Sequence, residues 1–263
     1  MSSIQEYRQA LRVQGRVIYA LILREALGKY GKSKIGYLWA VIEPALQVLI
    51  LVAIFTALGR KSPVGGDLAI FFTTGIMPWM LYNNLAGRLS GALGANQALM
   101  SYPHVTPFDV LIGRAILEVT TMFVVFILIV VSLQLFGVSL SIYDLFQVLC
   151  SLLILSIFSI GVGFINSTIR IYFDSWDKVF SAVNRPLYFL SGVFFTASSL
   201  PPQARVWLEW NPIFQYIEWL RSGFFSTYQD SYINYSYAIS VAIVTFTLGL
   251  IGVDKTKHRA RNL

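Results

Sequence analysis

The sequence predicts an all-α integral membrane protein, and three observations support this fold class. The chain of 263 residues is 56% hydrophobic and only 13% charged, whereas a soluble domain carries about 25% charged residues. Its apolar residues are concentrated in runs close to the roughly 20 residues with which a helix crosses the hydrocarbon core of a bilayer. The excess of cations that gives a formal net charge of +7 lies beside these runs. A soluble fold could not cover this much apolar surface.

We expect one membrane domain over residues 1–263, with six transmembrane helices. The spans are predicted at residues 38–58, 68–86, 110–135, 145–169, 179–196 and 237–253. The first is the clearest; a buried helix of a soluble protein is the alternative for one such run, but the composition argues against it. Cations on its N-terminal side place the N-terminus in the cytoplasm. An even number of spans returns the basic C-terminal tail to the same side.

An amphipathic helix is predicted to precede the first span, over residues 4–34. Apolar residues recur there at spacings of three, four and seven, and arginines fill much of the remainder. This pattern is typical of a helix in the membrane interface, with basic side chains among the lipid headgroups. A solvated helix that packs on another domain is the alternative. Its C-terminal part forms a basic shoulder of Arg24, Lys29, Lys32 and Lys34.

Several kinds of site are disfavoured. Residues 26–33 read ALGKYGKS, which lacks the first glycine of a phosphate-binding loop and follows an amphipathic helix instead of a strand. The single cysteine, Cys150, has no partner for an internal disulfide, and nothing points to a metal. Because the cations accompany the apolar runs and form no separate recognition helix, we expect them to bind anionic lipids and not nucleic acid.

Small residues inside two spans indicate contact with protein. Gly75 and Pro78 interrupt the second span, and such breaks are tolerated where neighbouring protein or water satisfies the freed backbone groups. The second span should therefore face protein or a pore. Gly161 and Gly163 in the fourth span would permit close packing of a neighbouring helix.

Charged residues inside the spans suggest a second set of contacts. Arg114 and Glu118 lie four residues apart on one face of the third span. Their position near its cytoplasmic end favours a structural ion pair or snorkelling over a proton relay. Arg185 precedes Pro186 in the fifth span, and a lone arginine at membrane depth should face a water-filled channel or an acceptor group.

The loop between the second and third spans is predicted to carry a short coupling helix. Residues 96–102 are helical in pattern and are closed by Pro103 and Pro107. A compact helix in a cytoplasmic loop suits docking to a soluble partner, and a structural turn at the interface is the alternative. The candidate contact residues are Asn96, Leu99, Met100 and Tyr102.

Residues 197–235 are predicted to form a re-entrant helix pair before the sixth span. Neither half is long enough to cross a bilayer, and prolines separate them. The segment is unusually aromatic, with Trp207, Trp210, Phe214, Tyr216, Trp219, Phe224, Phe225, Tyr228 and Tyr232. These rings either contact a substrate or form an aromatic belt at the headgroups, and the sequence leaves both open.

In this order the elements resemble the permease subunit of type-2 ABC exporters, and most closely the branch that exports capsular polysaccharides of Gram-negative bacteria. The resemblance covers nearly the whole chain and is most specific from Arg24-Glu25 through KYGKSKIGYLWAVIEP, which ends at Pro44. Supporting motifs are GIMPW at 75–79, ANQAL from Ala95, RPLYFLSG from Arg185 and WNP from Trp210.

The resemblance implies an inner-membrane permease that exports a capsular, lipid-anchored polysaccharide. It implies two copies around a continuous channel, with two copies of a separate ATPase that binds ATP and magnesium, and further export partners in the periplasm and outer membrane. The chain itself would be no enzyme and would bind no cofactor. Permeases for O-antigen or teichoic acid share the layout and stay open as alternatives. A secondary transporter or a membrane-bound transferase fits less well, because suitably placed carboxylates or catalytic pairs are scarce.

Aromatic and polar side chains are the candidates for the polysaccharide path, because a sliding polymer needs broad and weak contacts. The path residues are predicted to be Tyr37, Trp39, Glu43, Arg185, Trp210 and Trp219. The basic shoulder of Arg24, Lys29, Lys32 and Lys34 is predicted to steer an anionic glycan or a lipid headgroup to the entrance.

Overall fold

The computed structural model describes residues 2–30, 35–138, 142–228 and 230–261, which fold into helices joined by turns and short irregular segments. The helices are α1 (Ser2–Tyr30), α2 (Ile35–Ala57), α3 (Leu68–Ser90), α4 (Ala92–Ala95), α5 (Gln97–Met100), α6 (Pro107–Leu135), α7 (Leu145–Tyr172), α8 (Trp176–Leu190), α9 (Pro202–Leu208), α10 (Pro212–Phe224) and α11 (Tyr235–Arg261). Short 3-10 turns occur at Ala197–Ser199 and Asp230–Tyr232. The prediction of an all-α membrane protein is confirmed.

Within the described ranges, 4 helices are long and apolar enough to cross a membrane. They cover Leu38–Ala57, Pro107–Leu135, Leu145–Tyr172 and Tyr235–Ala260, with mean hydropathy between 1.9 and 2.7. These segments correspond to the predicted first, third, fourth and sixth spans. The predicted second and fifth spans correspond to α3 and α8, for which crossing of the membrane remains a prediction.

The predicted fifth span is shorter than expected. Helix α8 has 15 residues and ends at Leu190, whereas the span was predicted to continue to residue 196. At 1.5 Å per residue its length is about 22 Å, which is less than the hydrocarbon thickness of about 30 Å. The physical reason is a turn after Ser191, where Gly192 adopts a φ of 79°, a conformation that glycine adopts without steric cost.

Helix α3 lies at the centre of the bundle. Most of its 23 residues are buried, and Phe71, Phe72 and Leu85 are fully enclosed. It packs against α7, α6, α2 and α10. Burial in protein explains how α3 accommodates Gly75, Pro78 and several polar residues that make it less apolar than its neighbours.

Glycines allow α7 to approach two other helices closely, as predicted. A Cβ atom at Gly161 would lie 2.5 Å from the Phe246 nitrogen of α11, and one at Gly163 would lie 2.6 Å from Leu89 of α3. Gly249 faces Gly161 from α11, where an added Cβ would lie 2.7 Å from the Gly161 carbonyl oxygen. The α7–α11 contact is thus a backbone-to-backbone contact that larger residues would separate.

The bundle has two ends with different contents. We call one end the α4–α5 end. There α1 packs along the first turns of α6, and the Gln14 side-chain amide donates a hydrogen bond to Asp109 Oδ1 over 3.0 Å. We call the opposite end the α9–α10 end. There the Asp144 backbone amide donates a hydrogen bond to the Gly223 carbonyl over 2.9 Å. The Thr227 hydroxyl donates to the Val64 carbonyl over 3.2 Å. Loops that are distant in sequence therefore meet at each end.

Arg114 and Glu118 of α6 each have an ion-pair partner on another helix. Glu118 is buried and lies 3.5 Å from Arg88 of α3, while Arg114 lies 3.8 Å from Glu25 of α1. The predicted structural role of these charges fits this arrangement, but each one joins α6 to another helix. A direct Arg114–Glu118 pair remains a prediction.

Candidate functional site

A polar groove lies between α2, α3 and α8, and we call it the α2–α3–α8 groove. One part has a volume of about 460 Å³ and is lined by Trp79, Asn83, Ser181, Asn184, Arg185, Tyr188 and Phe189. The adjoining part, of about 340 Å³, is lined by Glu43, Gln47, Ile50, Leu51, Trp79, Met80, Asn83, Asn84 and Tyr188. The two parts share Trp79, Asn83 and Tyr188. The fold thus brings Glu43 and Arg185, both predicted path residues, to the same surface.

Helix α8 is amphipathic in a way that fits this groove. Ser181 and Arg185 lie on the groove side, whereas Val179 and Val183 are exposed on the other side. Because a charged side chain is costly in hydrocarbon, the α8 face that carries Arg185 is the one expected to meet water. The valine face can contact lipid or another apolar surface.

Asn184 holds α8 against α3. Among the residues of α8, all of which are described, it is the only one that is buried. Its side-chain amide donates to Asn83 Oδ1 over 2.9 Å, and its Oδ1 accepts a hydrogen bond from the Tyr82 hydroxyl over 3.3 Å. This polar contact adds to the packing of the partly buried Phe180, Leu187 and Tyr188 against the core.

A row of aromatic rings runs along the same region. Tyr82 and Trp79 have centroids 5.6 Å apart, Trp79 and Tyr188 are 5.2 Å apart, and Tyr188 and Phe194 are 5.3 Å apart. Phe189 stacks on Phe194 at 5.6 Å and keeps 61% of its surface exposed. Tyr82 and Trp79 are buried, so within this row the exposed face of Phe189 is the one that can offer broad, weak contact to the apolar faces of sugars.

The other predicted path residues are dispersed. Trp39 is 56% exposed and lies one helical turn before Glu43 on α2. Trp210 is 70% exposed at the corner between α9 and α10, where its ring contacts Tyr237 at 5.8 Å. The side chain of Tyr37 lies outside the described residues. These positions keep Trp39 and Trp210 available for contact.

Trp219 requires a correction. Only 4% of its surface is exposed, and its indole N–H donates to Gln147 Oε1 over 2.6 Å. Its ring also packs on Tyr235 at 5.0 Å. Trp219 is therefore enclosed by α7 and α11 and does not face a path, because its indole N–H has found a buried partner.

At the α4–α5 end, Asn96 connects three segments. It lies between α4 and α5 and is only 3% exposed. Its Oδ1 accepts from Arg24 over 2.7 Å, and its amide donates to Glu25 over 2.8 Å and to the Ala92 carbonyl over 2.9 Å. Glu25 also lies 3.8 Å from Arg114. The predicted coupling helix is thus fastened to α1 and, through Glu25, to α6.

These contacts correct two predicted contact residues of the coupling helix. Asn96 and Met100 are buried within the chain, and Leu99 is half-buried. Tyr102 is 62% exposed. The residues open to a partner in this segment are Gln97, Ala98, Ser101, Tyr102, Pro103 and His104, and we call them the α5 surface.

The basic shoulder is only partly described. Arg24 is exposed and donates a hydrogen bond to Asn96; its role at the entrance stays a prediction. The side chain of Lys29 and the whole of Lys32 and Lys34 lie outside the described residues. Their predicted role in steering a glycan or a headgroup therefore stays a prediction.

Sequence reasoning missed a buried ion pair on α10. Glu218 and Arg221 are 1% and 0% exposed, with Oε1 and Nη1 3.4 Å apart. The available signal was the E-x-x-R spacing inside an otherwise apolar helix, which places both groups on one face.

The start of α8 is also fixed by residues to which the sequence assigned no role. Asp177 lies 2.8 Å from Arg170 Nη1 and accepts from the Ser90 hydroxyl over 2.6 Å. The Trp176 indole N–H donates to Asn166 over 3.0 Å. These bonds join α8 to α3 and α7 at the α4–α5 end. Within the described residues, no group of three or more His, Cys, Asp or Glu side chains could hold a metal ion.

Comparisons with known proteins agree with this architecture. Residues 16–225 match the family model described as "ABC-2 type transporter". The chain is 32% identical over 253 residues to the polysialic acid transport protein KpsM of Escherichia coli, covering 96% of this chain and 98% of the relative. It is 28% identical to the capsule polysaccharide export inner-membrane protein CtrC of Neisseria meningitidis serogroup A, covering 95% and 94% of the two chains. It is also 28% identical to BexB of Haemophilus influenzae, with the same description, covering 98% and 96%. The chain therefore belongs to the ABC-2 type transporter family.

Proposed function

We propose that this protein is the membrane permease of an ATP-driven exporter of capsular polysaccharide in a bacterial inner membrane. The observation that carries the proposal is the α2–α3–α8 groove, which combines Glu43, Arg185 and a row of aromatic rings in one open surface. It occurs in a chain whose relatives, matched over nearly their full length, are named for polysaccharide transport.

The groove suits a hydrated polymer better than a small ligand. It is open along one side, and its charged groups, Glu43 and Arg185, are exposed. Such groups are costly against lipid, so a second copy of the chain would complete the wall and enclose water. Rings such as Phe189 would support successive sugars without holding any one of them tightly. A lipid anchor on the polymer would enter from the side, between the two copies.

Energy would come from a separate ATPase, with ATP and magnesium bound on that subunit. The α5 surface, with Tyr102 most prominent, is the proposed docking site. Movement there would reach α1 through Asn96 and its bonds to Arg24 and Glu25. The basic residues of α1 and of the end of α11 support a cytoplasmic position for the α4–α5 end and for both termini. The α9–α10 end would then face the periplasmic and outer-membrane export partners.

A vesicle assay tests the proposal. The chain and its ATPase partner would be reconstituted in inverted vesicles, and uptake of labelled, lipid-anchored capsular polysaccharide would be followed with and without ATP. We expect uptake to require ATP and the ATPase, and to fall in Glu43→Gln and Arg185→Gln while assembly is kept. Val183→Ala, on the opposite face of α8, is the matched control. Uptake driven by an ion gradient without the ATPase would refute the proposal.

A further inference from the structure

Helix α8 is held differently from the rest of the bundle. Asn184 is its only buried side chain among the described residues, whereas α3 is buried along most of its length. Partly buried Phe180, Leu187 and Tyr188 also pack against the core, and polar groups hold the two ends of α8. Its first turn is joined to α3 and α7 through Asp177 and Trp176. Its last turn is joined to the α9–α10 hairpin.

Arg221 binds the backbone that follows α8. Its Nη1 donates to the carbonyls of Gly192 over 2.7 Å and Phe195 over 2.9 Å, and its Nη2 donates to Val193 over 3.2 Å. Buried carbonyls outside regular helices need donors, and a guanidinium supplies five N–H groups in a fixed plane. One side chain on α10 thus satisfies most of a non-helical turn.

Glu218 holds the far end of the same turn. Its Oε2 accepts from the Ala197 amide over 3.0 Å and from the Tyr228 hydroxyl, while its Oε1 faces Arg221. Residues 192–197 are therefore fastened at both ends to one ion pair. The Asn211 amide adds a bond to the Leu190 carbonyl over 3.0 Å, so the corner of the hairpin also holds the last residue of α8.

Helix α3 is shaped to admit this cluster. A Cβ atom at Gly75 would lie 3.0 Å from Arg221 Nη2 and 3.1 Å from the Val193 Cα. The guanidinium also lies over the Phe71 ring at 4.1 Å. The cluster is thus closely packed against α3 without being covalently or helically continuous with it.

We infer that Glu218 and Arg221 are positioning residues that make the α9–α10 hairpin and the end of α8 one moving unit. Through this link the hairpin sets the orientation of Arg185 in the α2–α3–α8 groove, one and a half turns before Leu190. The inference rests on the proposed function, since it takes that groove as the transport path. It assigns the pair a role in transport beyond stabilising the fold.

Distances in the assembled transporter test the link directly. Spin labels would be placed at Val183→Cys on α8, Val206→Cys on α9 and Leu49→Cys on α2, which are exposed positions, in a Cys150→Ser background. The complex with its ATPase would be measured without nucleotide and with a non-hydrolysable ATP analogue. We expect the 183–206 distance to stay constant and the 183–49 distance to change. A 183–206 distance that changes as much as 183–49, or a 183–49 distance that does not change, would overturn the inference.

Variants separate positioning from stability. Arg221→Lys keeps the charge but cannot reach the three carbonyls together, so the 183–206 distance should become nucleotide-dependent and export should fall about tenfold, with ATP hydrolysis retained. Arg205→Lys is the control, because Arg205 also donates to a carbonyl, Leu200 over 3.0 Å, and lies over Tyr232 at 4.2 Å. Its carbonyl partner is outside residues 192–197. Equal effects of the two variants would contradict the inference.

Failure of the proposed function would look different. The spin-label distances report the link whether or not polysaccharide is the cargo. Absence of ATP-dependent polysaccharide uptake with a constant 183–206 distance would remove the function and leave the link. Normal uptake with a nucleotide-dependent 183–206 distance would leave the function and remove the link.

Discussion

Asn96→Ala should loosen the connection between α1 and the coupling helix. The substitution removes the acceptor of the Arg24 bond at 2.7 Å and the donors to Glu25 and the Ala92 carbonyl at 2.8 and 2.9 Å. Hydrogen bonds to charged groups contribute about 1.5–3 kcal/mol, and neutral ones about 1 kcal/mol. Arg24 is exposed, so water replaces much of its contribution. Glu25 keeps Arg114.

After reduction for the exposure of Arg24, the free-energy cost of the hydrogen bonds lost in Asn96→Ala is about 2–3 kcal/mol. This corresponds to an increase of roughly 30- to 150-fold in the local opening of α4, α5 and the adjoining part of α1. Hydrogen exchange on the purified full-length protein measures that opening, and stimulation of the partner ATPase measures its consequence for coupling. Gln97→Ala, at an exposed neighbouring position, is the control. Exchange in α1 and α4–α5 that is unchanged by Asn96→Ala would refute the reasoning.

Three further substitutions test the packing and the docking surface. Gly161→Ala should lower the stability of the bundle by about 1–3 kcal/mol, because the added Cβ would lie 2.5 Å from the Phe246 nitrogen. Thermal unfolding measures this loss. The control is Gly94→Ala, which should have little effect because a Cβ at Gly94 would meet no atom within 4 Å. Tyr102→Ala should weaken binding of the ATPase in a pull-down without a change in thermal stability, whereas Met100→Ala should cost about 2–5 kcal/mol of stability because Met100 is 2% exposed. A stable Met100→Ala variant, or normal ATPase binding by Tyr102→Ala, would contradict the assignment of surface and core.

The long apolar helices could be predicted from the sequence because hydropathy and length are local properties. The close approach of Gly161 and Gly163 to neighbouring helices followed from residue size in the same way. The end of α8 could not be predicted, since residues 191–196 are apolar enough to continue a span. The turn there depends on Gly192 and on Arg221, which lies 29 residues away.

Burial of side chains at the site depended on partners far along the chain. The position of Asn96 in a short polar loop helix predicts a docking residue, but its hydrogen-bond partner Arg24 is 72 residues away in the sequence. Trp219 resembled a belt or path residue until Gln147, also 72 residues away, was seen to accept its indole N–H. Glu43 and Arg185 were easier to predict, because a charge inside an apolar run needs a polar surface wherever that run packs.

Selective labelling of the two faces of α8 tests the central claim most directly. Ser181→Cys lies in the α2–α3–α8 groove and Val183→Cys on the opposite face, and both would be made in a Cys150→Ser background. The assembled transporter would be treated with a bulky, membrane-impermeant thiol reagent applied from both sides, and polysaccharide export would then be measured. We predict that Ser181→Cys reacts and that its adduct blocks export, while Val183→Cys reacts little and exports normally. Equal labelling of the two positions, or full export with a bulky adduct at position 181, would contradict the assignment of the groove as the polysaccharide path.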